Sequence, residues 1–458
     1  MQSLVSRLRQ SASVKAFTIG FLVLVLLIPL QMVRGTINDR SYIHDTARMD
    51  IQRTWGHSQT IAGPVLVVPY DVVHTNDRGD LSTRTTEVYL LPDTLQIDAD
   101  IDPEIRYRGI HEVPVYSATA SLKGRFASID AAELGIDSGR IHWADAFVAI
   151  GVSDGRAITE TPSLGLDGRS IPFEPGGELI DGLPPQIQAP LEAGAASDFS
   201  TPMSFDIELS FNGSESLHFL PFGDSTQVSM RSTWPSPSFA GRYLPHTRDV
   251  SDSGFTADWS VPSIGRTLPS RWTKHSAAAA SATASAFGVD LYMPIGIYRL
   301  TLRAAKYGVL FIVMTFVSYF LFETIAGLRL HPLQYLMVGL ANVVFFLLLI
   351  SLAEHIGFGP SYLASALASS GLVITYSHAV LGARSRAGIV GGLLFALYAF
   401  LYMTLKAESY ALLAGALGLW VTLAITMFLT RRIDWYAMSN ASGGDDRQVD
   451  GRQRTLEV

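Results

Sequence analysis

Gly151-Val-Ser-Asp-Gly155 has the G-x-S-x-G spacing of a hydrolase nucleophile elbow, in which a strand delivers a serine to a sharp turn and a helix behind it stabilises the oxyanion. Ala146-Phe-Val-Ala-Ile150 could be that strand. Arg156-Ala-Ile-Thr-Glu160 then runs into Thr161-Pro162 and more loop, so the helix is missing and Ser153 reads as part of a strand-end turn. The chain shows no Gly-rich phosphate loop, zincin helix or dinucleotide fingerprint. With no cysteine, thiolate catalysis, disulfides and cysteine-ligated zinc are also excluded. The sequence therefore predicts no catalytic residue, no metal ligand, no cofactor and no enzyme. A net charge of −7 lacks the basic field that nucleic-acid binding needs.

The remaining residues with chemical potential are ionisable groups in or beside long apolar runs, where a charge is costly and so is a functional candidate. They fall into two groups by depth, because the two membrane surfaces lie about 30 Å apart. Near the cytoplasmic face are Glu323, Arg329, His331 and His378. Near the outer face are Glu354, His355, Lys406 and Glu408, with Arg299, Arg303 and Lys306 on one helical face beside them. For Arg329, Lys406 and Glu408 the ordinary reading is a loop-end charge wetted by headgroup water. Glu323, His331, His378, Glu354, His355, Arg299, Arg303 and Lys306 are the candidate functional residues. Glu354 and His355 are expected to close a tight turn as charge partners, although neighbours about 100° apart on a helix make a poor metal site.

These groups must be positioned by membrane spans. Of the 458 residues 48% are hydrophobic and 16% charged, well below the roughly 25% charged of ordinary soluble domains. A span needs roughly 17–25 apolar residues. Residues 16–33 supply one, read as an uncleaved anchor after a cytoplasmic segment 1–15. Residues 307–322, 332–353, 358–381, 388–405 and 410–430 supply five more. The Lys/Arg bias of the short loops places both termini in the cytoplasm, with 431–458 as a disordered tail. Ser361, Ser365 and Ser369, with Ala364 and Ala368 beside them, suit close helix packing, as do Ala414 and Gly418. Asn342 is the only Asn, Asp or Glu well inside a span.

Within residues 34–275, from about Asn38 to Trp272, short segments alternate with period two, as in Gly63-Pro-Val-Leu-Val-Val-Pro-Tyr70, Glu87-Val-Tyr-Leu-Leu91, Phe205-Asp-Ile-Glu-Leu-Ser-Phe211 and Gly254-Phe-Thr-Ala-Asp-Trp-Ser-Val261. The expectation is a β-rich, sandwich-like extracytoplasmic domain between one N-terminal transmembrane helix and a five-helix C-terminal transmembrane bundle. The Pro- and Gly-dense stretch 161–202 reads as a long excursion or an inter-subdomain connection and not a packed element. Residues 276–306 read as a linker and incoming helix, the Ala/Ser run 276–286 favouring helix.

Arg329-Leu-His-Pro-Leu-Gln-Tyr-Leu-Met-Val-Gly-Leu340 and Ser351-Leu-Ala-Glu-His-Ile-Gly-Phe358 are long, unusual motifs. With Arg106-Tyr-Arg-Gly-Ile110, Val113-Pro-Val-Tyr116, Trp234-Pro-Ser-Pro-Ser-Phe239 and Lys306-Tyr-Gly-Val-Leu-Phe311 they resemble the CreD family of bacterial inner-membrane proteins over nearly the whole chain. Ala353 and Asn342 depart from the family pattern, which has Ser and an aliphatic residue there. The resemblance implies a multi-pass inner-membrane protein with a periplasmic domain, linked to envelope stress, induced by a two-component system and associated with colicin tolerance. It carries no catalytic residues. The expected function is non-enzymatic envelope maintenance, with the lipid bilayer and a periplasmic or membrane protein as partners. The competing expectation is a transporter or intramembrane enzyme for a lipid-linked or amphipathic substrate.

Overall fold

A computed structural model describes residues 12–75, 81–129, 136, 138–177, 180–191, 201–266, 268–274, 282–291, 296–325, 328, 330–406 and 411–431. Arg329, Glu408, the tail beyond 431 and most of the Ala/Ser run lie outside them. The chain divides into one unit of residues 1–43 with 295–458 and a second of 44–294.

Helix α1 (Ala12–Trp55) is unbroken over 44 residues despite Pro29, a residue that membrane helices tolerate where neighbours re-satisfy the backbone. Residues 34–55, expected within the β-rich region, are thus helical. The sequence there has no proline and a single glycine, Gly35, to break the helix, and Val33, Ile37 and Ala47 are buried. Gly56, at φ +145°, ends the run, since that backbone region suits glycine. The division between the units falls within α1.

The second unit is built of two sheets, of nine and eight strands, sharing one core. Two sequence patterns explain the two layers. Strand Gln59–Thr75 carries Ile61-Ala-Gly-Pro-Val-Leu-Val-Val68, buried at every position, as befits a strand covered on both faces. Strand Thr94–Arg108 of the eight-stranded sheet instead alternates: Leu95, Ile97, Ala99 and Ile101 face inward, while Gln96, Asp98, Asp100 and Asp102 face solvent. The strands expected from alternation all form, within Gln59–Thr75, Leu81–Leu90, Met203–Ser214 and Gly254–Pro262.

Two expectations need correction. Stretch 161–202 contains the strands Ser163–Leu166, Arg169–Pro172, Glu174–Gly177 and Gln186–Pro190, which extend one edge of each sheet. Its Asp167-Gly168 pair, at φ +47° and +82°, makes a two-residue hairpin, so the Pro and Gly content marks tight turns and edge strands. The segment 276–306 is also not simply a linker and helix. Phe287–Leu291 is a strand between Ser216–Phe219 and Pro237–Gly241, and helix begins only at Ile297. A Cβ at Gly288 would come within 2.1 Å of the Leu217 carbonyl oxygen, so glycine permits this pairing.

In the first unit α1 is followed by α2 (Ile297–Lys306), α3 (Gly308–Ile325), α4 (Pro332–Ile356), α5 (Phe358–Leu381), α6 (Arg384–Lys406) and α7 (Ala411–Thr430). Among the described residues five stretches are long and apolar enough to span a bilayer: Phe17–Trp55, Ile297–Thr324, Pro332–Ile356, Phe358–Leu381 and Arg384–Lys406. The architecture is an N-terminal apolar helix, a central β-rich region and a set of C-terminal apolar helices. Ser361, Ser365 and Ser369 are buried, as small packing residues should be, but Ala364 and Ala368 are exposed. Tyr362 and Ala366 share the buried face instead, because residues four apart follow the helix stripe more closely than those three apart.

Candidate functional site

Two carboxylates of the helical unit are withdrawn from water, one toward each end of the apolar helices. Glu323, in the last turn of α3, is 6% exposed. Lys15 of α1 lies 2.8 Å from its Oε1, which also accepts the Leu330 N–H at 3.3 Å. The Tyr335 hydroxyl donates to Oε2 at 3.0 Å. Tyr335 is itself fixed by Phe316, edge-on at 5.4 Å between ring centres.

At the other end Glu354, in the last turn of α4, accepts from the Tyr298 hydroxyl at 3.0 Å. Arg40 of α1 approaches its other oxygen at 3.9 Å. The pattern is the same as around Glu323: a buried carboxylate, a tyrosine hydroxyl from the bundle and a cation from α1. Lys15 to Arg40 on α1 is about 37 Å at 1.5 Å per residue, and Tyr335 to Glu354 on α4 is about 28 Å. The second matches a hydrocarbon core of about 30 Å, and the first adds part of the headgroup layers. The two arrangements are therefore separate sites one bilayer thickness apart.

Of the residues expected near the cytoplasmic face, only Glu323 joins this geometry. His331 caps α4, its Nδ1 accepting the Leu333 N–H at 3.2 Å while the Gln334 side chain accepts the His331 N–H at 2.9 Å. That reciprocal arrangement, with Pro332 at the first helical position, defines the start of α4. His378 is exposed on α5. Of the residues expected near the outer face, Glu354 is brought to Tyr298 and Arg40, whereas exposed His355 contacts its own helix, with Nδ1 3.0 Å from the Ser351 carbonyl oxygen. The expected partnership of Glu354 and His355 is thus replaced by two unrelated roles, since successive helical positions face different surroundings. Arg299 and Lys306 are exposed and Arg303 half-buried. Lys406 lies 5.3 Å from the centre of the Tyr402 ring.

Sequence reasoning missed Tyr298, Tyr335, Arg34 and Arg40. A signal was present: Lys15 and Arg34 bracket the apolar run of α1, and Tyr335 and Glu354 stand equally far apart on α4.

Between the two carboxylates the bundle interior is polar at a few points. Asn342 Nδ2 donates to Thr315 Oγ1 at 3.0 Å, and Ser369 Oγ donates to the Ala341 carbonyl at 2.8 Å. Asn342 Oδ1 and Ser365 Oγ are buried without a partner.

In the β-rich unit Ser153 Oγ accepts the Thr60 N–H at 2.6 Å and donates to the Thr60 carbonyl at 3.1 Å, closing the strand-end turn. Burial would raise the pKa of the adjacent Asp154, but a two-pronged contact from Arg156 and the His57 N–H outweigh it and hold the carboxyl below its usual range. Gly155–Ala157 is one turn of 3₁₀ helix and not the long helix of a nucleophile elbow. Among the described residues no group of three or more His, Cys, Asp or Glu side chains is placed to hold a metal ion.

The model of the inner membrane protein CreD family matches residues 11–436. The chain is also 32% identical to the inner membrane protein CreD of Escherichia coli (strain K12) over 420 residues, covering 91% of this chain and 92% of that one. The motifs around His331 and Glu354, and the helices they begin and end, are therefore those of a chain that belongs to the CreD family of inner membrane proteins.

Proposed function

We propose that this chain is a non-enzymatic envelope-maintenance protein, with the β-rich unit in the periplasm, both termini in the cytoplasm and a periplasmic or membrane partner that meets the β-rich unit. The observation that carries the proposal is α1. It is held in the bundle by Lys15–Glu323 at one end and Arg40–Glu354 at the other, and continues without a break to Trp55. Within the β-rich unit its last turns are tied by Arg48–Glu215 at 3.1 Å and by the Trp55 indole N–H, which donates to the Tyr116 carbonyl at 3.1 Å. A single helix attached in this way is suited to pass a change in one unit along the chain to the other. Lys15, Arg384, Arg386 and Arg431 fall on one side of the spans in this topology, in keeping with the positive-inside rule.

For the partner, the exposed face of the eight-stranded sheet offers Asp98, Asp100 and Asp102 in register with Ser121, Thr119 and Ser117 of the next strand. A photo-crosslinking residue at Thr119, used in intact cells, should give a discrete protein adduct that is lost when the three aspartates are replaced by Asn. Absence of any adduct from this face would refute the partner contact. Reporter fusions at Gly155 and at the C-terminus should report opposite sides of the membrane; the same side for both would overturn the topology.

A second reading, a transporter or intramembrane enzyme for a lipid-linked or amphipathic substrate, is favoured by the unpartnered Asn342 and Ser365 oxygens inside the bundle. Asn342→Leu separates the two: loss of function at a normal protein level would favour transport.

A further inference from the structure

We infer that Arg34, Arg303 and Lys306 form a cradle at the last turn of α2 for the phosphate of an anionic phospholipid headgroup. Helix α2 is short and two-faced: Thr301, Ala304 and Ala305 are buried, Arg303 is half-buried and Lys306 is exposed. Arg34 reaches the same turn from α1. Its Nη2 donates to the carbonyls of Ala305 at 3.0 Å and Lys306 at 3.5 Å, and its Nη1 donates to Gln31 at 3.3 Å. Cations at a helix C-terminus are ordinarily explained by the dipole and the free carbonyls, and those bonds account for part of Arg34.

They do not account for the rest. Arg34 Nε and Arg303 Nη1 are both buried without an acceptor. A charged N–H withheld from water with nothing to bond is among the costlier arrangements a fold can keep; here one belongs to a side chain bonded to the last turn of α2 and the other to a residue of that turn. The neighbouring carboxylate, Glu354, is already engaged by Tyr298 and Arg40. Asp39 lies five positions beyond Arg34, about 140° round α1. A group with several anionic oxygens would satisfy both guanidinium forks and the Lys306 ammonium together, and a phosphodiester has that geometry.

Depth identifies the source. Arg34 is about 28 Å along α1 from Lys15, which puts it at headgroup level on the surface opposite the Glu323 cluster. The preceding turns of α1 expose Leu24, Ile28 and Met32, a surface for acyl chains. The cradle therefore takes a lipid phosphate in place of a free one.

The test uses the full chain in neutral detergent, offered equal amounts of dioleoyl-phosphatidylglycerol and dioleoyl-phosphatidylcholine, with retained lipid read by native mass spectrometry. The wild-type chain should retain phosphatidylglycerol preferentially, and Arg303→Gln should lower that preference about fivefold, the worth of one basic side chain at an anionic surface. Arg231→Gln, on the exposed sheet face, should leave it unchanged. Equal retention by Arg303→Gln and the wild-type chain would overturn the cradle. Displacement of the bound lipid by millimolar inorganic phosphate would overturn the lipid assignment.

Discussion

Replacing Tyr335 by Phe removes one hydroxyl and nothing else, which makes it the cleanest probe of the Glu323 cluster. The hydroxyl donates at 3.0 Å to a carboxylate that is only 6% exposed, so little water can replace it. A neutral hydrogen bond between membrane helices averages about 0.6 kcal/mol. A charged acceptor roughly doubles that, and the carboxylate left short of a donor adds desolvation cost. The Lys15 side chain, 34% exposed, still compensates the charge. The expected loss is therefore about 1–2 kcal/mol, well short of the 3–5 kcal/mol for breaking a fully buried ion pair. Unfolding in mixed micelles should show this loss for Tyr335→Phe. Repeating the substitution in a Glu323→Gln background should show a coupling of at least about half that size. Additive effects of the two substitutions would mean that the hydroxyl and the carboxylate do not act together, and would refute the reasoning.

Gly339→Ala should destabilise the bundle by about 1–3 kcal/mol, because the new Cβ would sit 2.1 Å from Leu26 and 3.0 Å from Phe316. Gly388→Ala, with nothing within 4 Å, should be neutral or slightly stabilising in the same melt. Glu354→Gln should lower thermal stability measurably while His355→Ala does not, since the first side chain is buried with two partners and the second bonds only within its own helix; the reverse order would refute the placement. Asp258 accepts from the Ser229 and Thr247 hydroxyls, which hold its pKa below the usual carboxylate value. Its contribution is thus present above about pH 4 and lost as pH falls through the depressed pKa. Asp258→Asn should therefore flatten the acid side of the stability–pH curve and leave a smaller gap from the wild-type chain at pH 3 than at pH 7.

Much of the architecture was legible because it is local. Leu95 to Asp102 alternate strictly and make a one-sided strand, and Pro332 and Gly357 bracket a helix whose ends need a fixed φ and a positive φ. Stretch 161–202 was misread because its Gly and Pro residues stand at hairpin turns and sheet edges, where strands are only four or five residues long and periodicity has no room to show. Strand Phe287–Leu291 was missed for the same reason. Glu323 and Glu354 could be flagged from their cost in an apolar segment. Their partners could not, because Lys15 and Glu323 are 308 positions apart and Tyr298 and Glu354 are 56 apart. Such contacts depend on which helices become neighbours, and no pattern along one helix records that.

Strand Phe287–Leu291 also fixes the timetable of synthesis. It pairs with both Ser216–Phe219 and Pro237–Gly241, and Ser216–Phe219 in turn lies parallel to the start of strand Gln59–Thr75. A nascent chain translated only to residue 280 holds every strand of the eight-stranded sheet but leaves the nine-stranded one with a missing rung. The unpaired edges beside that gap would invite other strands. The rung leaves the ribosome just before the apolar helices that begin at Ile297. A pause or truncation between residues 241 and 287 would therefore release an adhesive intermediate, and translation a few residues past Leu291 would remove the hazard.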